Sequence, residues 1–226
     1  MISFKQFLLE LYNVKKFYGA NSLKNLFKKL KWREVGSGAH SQVFEIPSKN
    51  YVIKVWTLDQ SYESFLRYIL KSENRNNPHF PRVLGRMKTI PAFHRRSRKD
   101  ELIKLVKLEK LEPMSEGNET FVDQVIMDVQ DEWFVGRVGR RAEKNKDMFP
   151  QGPSLRNAML KMEEGREFGR LDIHVGNFME RPSDGMIVCI DPWHDPDELN
   201  VLDEIIVDDQ NPALAKYTKP GYLEAA

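Results

Sequence analysis

The most constraining feature of this 226-residue chain is a stretch that reads as three consecutive strands followed by a helix. Residues 32–46 read as a strand, a glycine turn and a second strand, and a turn-forming segment follows at 47–50. Residues 51–56 are rich in β-branched and aromatic side chains, which predicts a third strand. Apolar side chains at helical spacing over residues 61–70 predict a helix. The stretch therefore predicts an antiparallel sheet within an α+β fold.

Two glycines and one lysine stand at special places in this predicted sheet. Gly36 and Gly38 lie in the first turn, where glycine allows backbone angles closed to other residues and a close approach to phosphate groups. Lys54 lies inside an apolar strand, where a lysine is rarely placed without a partner. We expect its partners to be nucleotide phosphates and the carboxylate of Glu63 in the following helix. The residues expected to cover or contact the nucleotide are Gly36, Ser37, Gly38, Ala39, His40, Ser41, Val43, Lys54 and Glu63.

A second polar pattern lies nearer the C-terminal end of the sequence. Asn177 follows Asp172 by five positions, and Asp191 ends a later apolar run. Phosphoryl transfer needs one carboxylate to orient or deprotonate the attacking hydroxyl. It also needs an amide oxygen and a second carboxylate to hold the magnesium ions that bridge the nucleotide phosphates. We therefore predict that Asp172 is catalytic and that Asn177 and Asp191 bind Mg²⁺.

In this order the two patterns resemble the motifs of the protein-kinase-like superfamily, and most of all those of the small serine/threonine kinases made early in infection by tailed bacteriophages. The resemblance covers about residues 32–195 and is carried by Gly-Ser-Gly-Ala-His-Ser, Val-Ile-Lys-Val, Asp-Ile-His-Val-Gly-Asn and Ile-Asp-Pro. It implies one bilobal domain, with an antiparallel N-lobe sheet and N-terminal helices over residues 1–110. A reduced, mainly helical C-lobe and a tail would occupy 111–226. The implied activity is ATP- and Mg²⁺-dependent phosphorylation of serine and threonine in host proteins, in the host cytoplasm.

Several positions depart from the pattern of that superfamily. Ser41 stands at the third glycine position, and Leu171 replaces the arginine that usually reads an activation-loop phosphate. Pro192 follows Asp191 where phenylalanine is usual, and proline fixes its own φ, which disfavours a large flip of this loop. His174 replaces the usual lysine. It is expected either to contact the γ-phosphate or, equally, to pack within its loop.

The remaining elements follow from their order in the chain. Residues 78–85 are expected to enter a fourth strand, and residues 118–135 and 153–168 are expected to be helices. The apolar stretch 102–111 would be the last strand of the sheet and then the hinge against which adenine lies. Leu108 would line the back of the pocket, and the backbone of Glu109 and Leu111 would bond the adenine edge.

Composition excludes several classes of protein. The formal net charge of +2 is too balanced to demand a nucleic-acid partner. One cysteine, Cys189, allows no disulfide within the chain, which fits a reducing cytoplasm. No apolar run approaches the roughly 20 residues that a membrane span needs, so no membrane partner is expected. Residues 3–18 and 22–31 are expected to be helices that pack on the sheet. The oligomeric state stays open.

Three alternatives remain at the level of the sequence. A kinase-fold phosphotransferase acting on a small molecule is favoured by the Asp-x-His-x-x-Asn pattern and by the missing Ala-Pro-Glu signature. A non-catalytic, kinase-shaped binding protein is disfavoured because every expected site residue is present. A metal hydrolase could use Asp172, His174, Asp191 and His194, which have suitable ligand types. It would leave the glycine turn and Lys54 unexplained.

Overall fold

A computed structural model describes much of the chain, and within it the protein is a mixed α+β structure with an antiparallel sheet, as predicted. The described residues are 31–38, 41–57, 59–94, 99–136, 139–167, 169–194 and 205–206. The helix predicted over 3–18 lies outside these ranges, as do Ala39 and His40 and, except for residue 31, the helix predicted over 22–31. None of the described helices is long and apolar enough to cross a membrane.

The strands and helices of the described residues are numbered here in chain order. The strands are β1 (Arg33–Ser37), β2 (Ser41–Glu45), β3 (Tyr51–Trp56), β4 (Lys88–His94), β5 (Lys99–Glu109), β6 (Arg170–Leu171), β7 (Phe178–Glu180), β8 (Ile187–Cys189), β9 (Trp193–His194) and β10 (Ile205–Ile206). The helices are α1 (Gln60–Leu70), α2 (Glu116–Val135), α3 (Arg141–Lys144) and α4 (Gly152–Glu164), and a 3-10 turn spans Val175–Asn177.

The chain divides into two compact units, each built from separate stretches of sequence. The first unit comprises the described residues within 1–58, 84–107 and 198–226, and the second comprises those within 59–83 and 108–197. Helix α1 therefore belongs to the second unit. The sequence suggested a boundary near residue 110 and assigned 59–83 to the N-terminal part of the chain.

The first unit is organised around one sheet with the strand order β1-β2-β3-β5-β4-β10. The pairings β1–β2, β2–β3, β4–β5 and β4–β10 are antiparallel. Strand β3 is central, and its Ile53, Val55 and Trp56 are fully buried. A central strand buried on both faces reads as a continuous apolar run, which explains why β3 could be recognised from its sequence.

In the second unit, helix α1 packs against the ring of Trp193 through its own aromatic side chains. Asp59 caps the helix by accepting a hydrogen bond from the backbone N–H of Tyr62 at 2.7 Å. The ring of Trp193 on β9 lies 5.7 Å from that of Phe65 and 5.6 Å from that of Tyr68, both on α1. Such offset and edge-to-face arrangements add to the gain from apolar burial. Trp193 therefore fixes the chain that follows Asp191 against α1.

Helices α2 and α4 form the remaining core of the second unit. Val122, Val125 and Val129 recur along one face of α2, and all three are buried, as is Leu155 on α4. Helix α2 starts two residues before its predicted first residue, because Ser115 caps it. Helix α4 ends at residue 164 and not at the predicted 168, because Gly165 follows as its C-cap.

Candidate functional site

In the first unit, the expected nucleotide-contacting residues form a row across three strands. Gly36 on β1 pairs with Val43 on β2, and Val43 pairs with Lys54 on β3. Residues directly opposite each other in antiparallel strands present their side chains on the same face of the sheet. The pairing register therefore places Gly36, Val43 and Lys54 side by side on one face of the sheet.

Lys54 is one of the few charged residues that the sheet buries, with 5% of its surface exposed. Its neighbours along the strand, Ile53 and Val55, are fully buried. Moving an ammonium group out of water is costly unless it gains polar or charged partners. The burial of Lys54 agrees with the expectation from the sequence that this lysine lies inside an apolar strand and has partners there. Glu63, its expected helix partner, lies half-buried in the first turn of α1.

The glycine turn does not use the unusual backbone angles that its glycines permit. Positive φ angles occur at Gly136, Gly169 and Gly185 among the described glycines, and not at Gly36 or Gly38. A Cβ atom added at Gly36 would lie 3.8 Å from Cβ of Val43, an ordinary contact. Backbone angles closed to other residues are therefore not used at these two glycines. The close approach of phosphate groups to this backbone stays a prediction.

The turn itself is closed by the backbone N–H of Gly38, which donates to the carbonyl of Ser41 at 2.8 Å. Ser41 is buried at the start of β2, whereas Ser37 is exposed at the end of β1. Of the expected loop contacts, Ser37 is thus the side chain most open to solvent among those described.

The predicted hinge follows the buried Leu108. Its residues differ in the hydrogen bonds that they make within the fold. The carboxylate of Glu109 accepts two hydrogen bonds from the guanidinium of Arg181, at 2.8 and 2.9 Å. The backbone N–H of Glu109 donates to the carbonyl of Arg82 at 3.0 Å. The backbone N–H of Glu109 is therefore used within the fold, and the predicted adenine contact would have to use the carbonyl group of this residue. Leu111 is half-buried, and the next residue, Glu112, exchanges two backbone hydrogen bonds with Glu180, each 2.8 Å long.

In the second unit, two small antiparallel sheets hold the expected catalytic and metal-binding residues. Asp172 follows β6, Asn177 precedes β7, and Asp191 lies between β8 and β9. The backbone N–H of Asp172 donates to the carbonyl of Pro192 at 2.8 Å, and that of Ile190 donates to the carbonyl of Asn177 at 2.9 Å. Asp191 is thus fixed between two residues that bond directly to the Asp172–Asn177 loop.

The side chains of Asp172 and Asn177 are oriented by contact with each other. The amide nitrogen of Asn177 lies 2.5 Å from the backbone carbonyl oxygen of Asp172 and 3.5 Å from Oδ2 of the same residue. Because Nδ2 donates to this loop, Oδ1 is the atom of the amide group that could serve as a metal ligand. The Asp172 side chain is 48% exposed, which leaves it accessible to an acceptor hydroxyl.

Asp191 imposes negative charge on a largely buried environment. Burial raises the pKa of Tyr62, and the charge of Asp191 raises it further. Burial also raises the pKa of the Cys189 thiol, again with the charge of Asp191 adding to the effect. Both groups are therefore neutral beside Asp191, so they add no negative charge of their own to this part of the second unit.

The residues named for the metal-hydrolase alternative are not grouped as a metal site in the part of the chain that the structure describes. Among the residues that the structure describes, no three His, Cys, Asp or Glu side chains are grouped as a metal site. Asp172, His174, Asp191 and His194 all belong to that described part of the chain. Magnesium at a nucleotide site commonly takes only one or two carboxylates, with phosphates and water as its other ligands. Asn177 and Asp191 fit that mode of binding.

Four residues important to this geometry were not singled out from the sequence. Arg181 holds Glu109, and Trp193 anchors the chain after Asp191. Gly169 allows close packing at the start of β6, and Gly176 allows it within the Asp172–Asn177 loop. Gly176 could have been noticed, because it lies inside the motif. Comparison of the chain with models of known protein families and with curated proteins found no match, so the chemistry of the site is inferred from its own residues.

Proposed function

We propose that this protein is an ATP- and Mg²⁺-dependent kinase that phosphorylates serine and threonine hydroxyls of proteins, namely host proteins in the host cytoplasm during phage infection. The observation that carries the proposal is the clustering of Asp172, Asn177 and Asp191 through backbone hydrogen bonds. These are the three polar groups that phosphoryl transfer requires. The phage setting and the protein substrates rest on the resemblance in sequence.

Each residue of the cluster has one role in this proposal. Asp172 accepts or orients the proton of the acceptor hydroxyl. Asn177, through Oδ1, and Asp191, through its carboxylate, would hold Mg²⁺. The bound magnesium nucleotide supplies the transferable γ-phosphoryl group and neutralises charge on it. Lys54 would bind the α- and β-phosphates, and the backbone of the glycine turn at 36–41 would cover them.

The main test is transfer of labelled γ-phosphate from Mg-ATP to proteins of a bacterial lysate. We expect labelled protein bands with the unmodified chain. Asp172→Ala should lower the rate by about 10²–10⁴-fold with nucleotide binding kept, the usual range for a lost general base. Asp147→Ala, an exposed acid between α3 and α4, is the matched control and should label normally. Full activity of Asp172→Ala would contradict the assignment.

The same experiment separates the proposal from its competitors. ATP consumption with a labelled metabolite and no labelled protein would favour a small-molecule phosphotransferase, to which the Asp172-x-His174-x-x-Asn177 pattern also points. ATP binding without any turnover would favour a non-catalytic binding protein.

A further inference from the structure

The ring of His174 is folded back over its own loop. The backbone N–H of Gly176 donates to Nδ1 of His174 at 3.1 Å. A backbone N–H can only donate, so Nδ1 must accept and carries no proton. In the neutral imidazole the proton is then on Nε2. One hydrogen bond from the main chain thus selects one tautomer of this histidine.

The protonated edge of the ring faces the predicted catalytic carboxylate. Nε2 of His174 lies 3.7 Å from Oδ2 of Asp172. The amide nitrogen of Asn177 approaches the same oxygen at 3.5 Å. Both distances exceed those of full hydrogen bonds, and such contacts commonly tighten when substrates bind. Two donors therefore converge on Oδ2, and Oδ1 is the oxygen directed away from them.

Gly176 makes this arrangement possible by having no side chain. A Cβ atom at residue 176 would lie 2.9 Å from Cε1 and 3.0 Å from Nδ1 of His174. Contacts this short force a shift, and the exposed ring is the group able to move. The glycine is thus explained by the position of the histidine ring.

We propose that His174 is a positioning residue, whose Gly176-selected tautomer presents Nε2–H to Oδ2 of Asp172 and leaves Oδ1 for the acceptor hydroxyl. The inference rests on the proposed kinase function and gives His174 a role distinct from a γ-phosphate contact. A positioning role acts on the chemical step, so it changes kcat. A contact to the γ-phosphate of the bound nucleotide would in addition change the KM for ATP.

Kinetics of four variants test the catalytic part of the proposal. His174→Ala and Gly176→Ala should each lower kcat on the order of 10–100-fold, the scale of a misplaced catalytic group, with an unchanged KM for ATP. His174→Gln can still present an amide N–H towards Asp172 and should keep more of kcat than His174→Asn, whose shorter side chain cannot reach as far. Asp147→Ala serves as the surface control. A rise in the KM for ATP, or equal losses in the Gln and Asn variants, would overturn the positioning role.

Ring-nitrogen NMR of the protein without nucleotide tests the geometry independently of any activity. Long-range ¹H–¹⁵N spectra should show His174 protonated at Nε2 at neutral or higher pH, and Gly176→Ala should abolish this preference. A ring protonated at Nδ1 in the unmodified protein would refute the inference even if the protein is an active kinase. If instead the proposed kinase function is wrong, the NMR spectra would still show the expected tautomer, but the protein would transfer no phosphate.

Discussion

At the scale of single residues, Asp191 gives the sharpest prediction about ligand binding. Its carboxylate lies where Tyr62 and Cys189 are both held neutral, so we expect it to supply the main negative charge that attracts Mg²⁺. Asp191→Ala should abolish magnesium-dependent nucleotide binding, measured by calorimetry with ATP in the presence and absence of Mg²⁺. Asp172→Ala should bind as the unmodified chain does. Magnesium-dependent binding that survives in Asp191→Ala would contradict the assignment.

A second residue-scale prediction concerns Gly169, which introduces β6. Its φ is +83°, and an added Cβ atom would lie 2.9 Å from the carbonyl oxygen of His194 and 3.0 Å from Cβ of Ser61. Gly169→Ala should therefore lower the free energy of unfolding by about 1–3 kcal/mol, the usual cost of a residue held in such a conformation. Gly117→Ala on α2 has no atom within 4 Å of the new Cβ and should not destabilise. Equal urea midpoints for the two variants would show that Gly169 is not constrained.

Single residues also show where the sequence was sufficient. Asp172, Asn177 and Asp191 were selected for their chemistry and their order in the chain, and the structure links their segments by backbone hydrogen bonds, while their roles stay predictions. Gly36 and Gly38 were noted for the unusual angles that glycine permits, but neither residue has a positive φ, because the composition of a turn does not report its φ values. The importance of Gly169 depends on Ser61 and His194, which are distant in sequence, so no local pattern could have revealed it.

At the scale of elements, a buried ion pair joins the end of β5 to the β7–β8 hairpin. The side chain of Arg181 is 3% exposed, and besides binding Glu109 it donates to the carbonyl of Phe80 at 3.1 Å. Arg181→Met should destabilise by up to about 3–5 kcal/mol, because it removes the closer and buried guanidinium from the Glu109 carboxylate and leaves only Nε of Arg82, 3.8 Å from Oε2. Adding Glu109→Gln removes that charge while keeping an oxygen for the backbone N–H of Arg82, so the double variant should recover part of the loss.

The measurement for this pair is a double-mutant cycle of urea unfolding. Residues in direct contact show coupling energies of about 0.5–3 kcal/mol, whereas independent sites add. Strictly additive losses in the Arg181 and Glu109 variants would mean that the ion pair does not stabilise the junction of these elements.

Elements differed in how well the sequence predicted them, for physical reasons. The boundaries of strand β3 and helix α1 were predicted to within one residue. An apolar run and a helical period are both local signals in the sequence. The fourth strand was expected to begin within 78–85, but β4 spans Lys88–His94 and Val83 forms only an isolated bridge with Leu108. Strands β6 and β9 have two residues each, too few to leave a periodic signal, and their pairing arises from packing.

At the scale of the whole molecule, the α+β class followed from the sum of these local patterns. The division into two units did not, because it depends on which distant segments pack together. Residues 84–107 join the first unit because β5 pairs beside β3, and residues 59–83 join the second, where α1 meets β9. Neither association is encoded by spacing along the chain.

Stability of the whole chain should depend on pH through His79, which is 1% exposed in the second unit. Its Nδ1 bonds to the carbonyl of Ile187 and its Nε2 to Oγ of Ser154, each at 2.8 Å. Burial lowers the pKa of His79, and the charge of Arg181 lowers it further. The unfolded chain, with a histidine pKa of about 6.5, then binds more protons than the folded chain below that pH. The free energy of unfolding should therefore fall as the pH drops from about 6.5 towards the lowered pKa.

Urea unfolding at about pH 7.5, 6.5 and 5.5 measures this dependence. These values span about one pH unit on either side of the histidine pKa in the unfolded chain. His79→Gln keeps hydrogen-bonding groups at the site without a titrating ring, so its stability should change less over the same interval. His194→Gln replaces an exposed histidine of the same unit and should retain the full dependence of the unmodified chain. If the unmodified chain and both variants show the same pH dependence, the dependence arises from groups other than His79. Of the two histidines replaced, only His79 has a pKa lowered by burial and by the charge of Arg181.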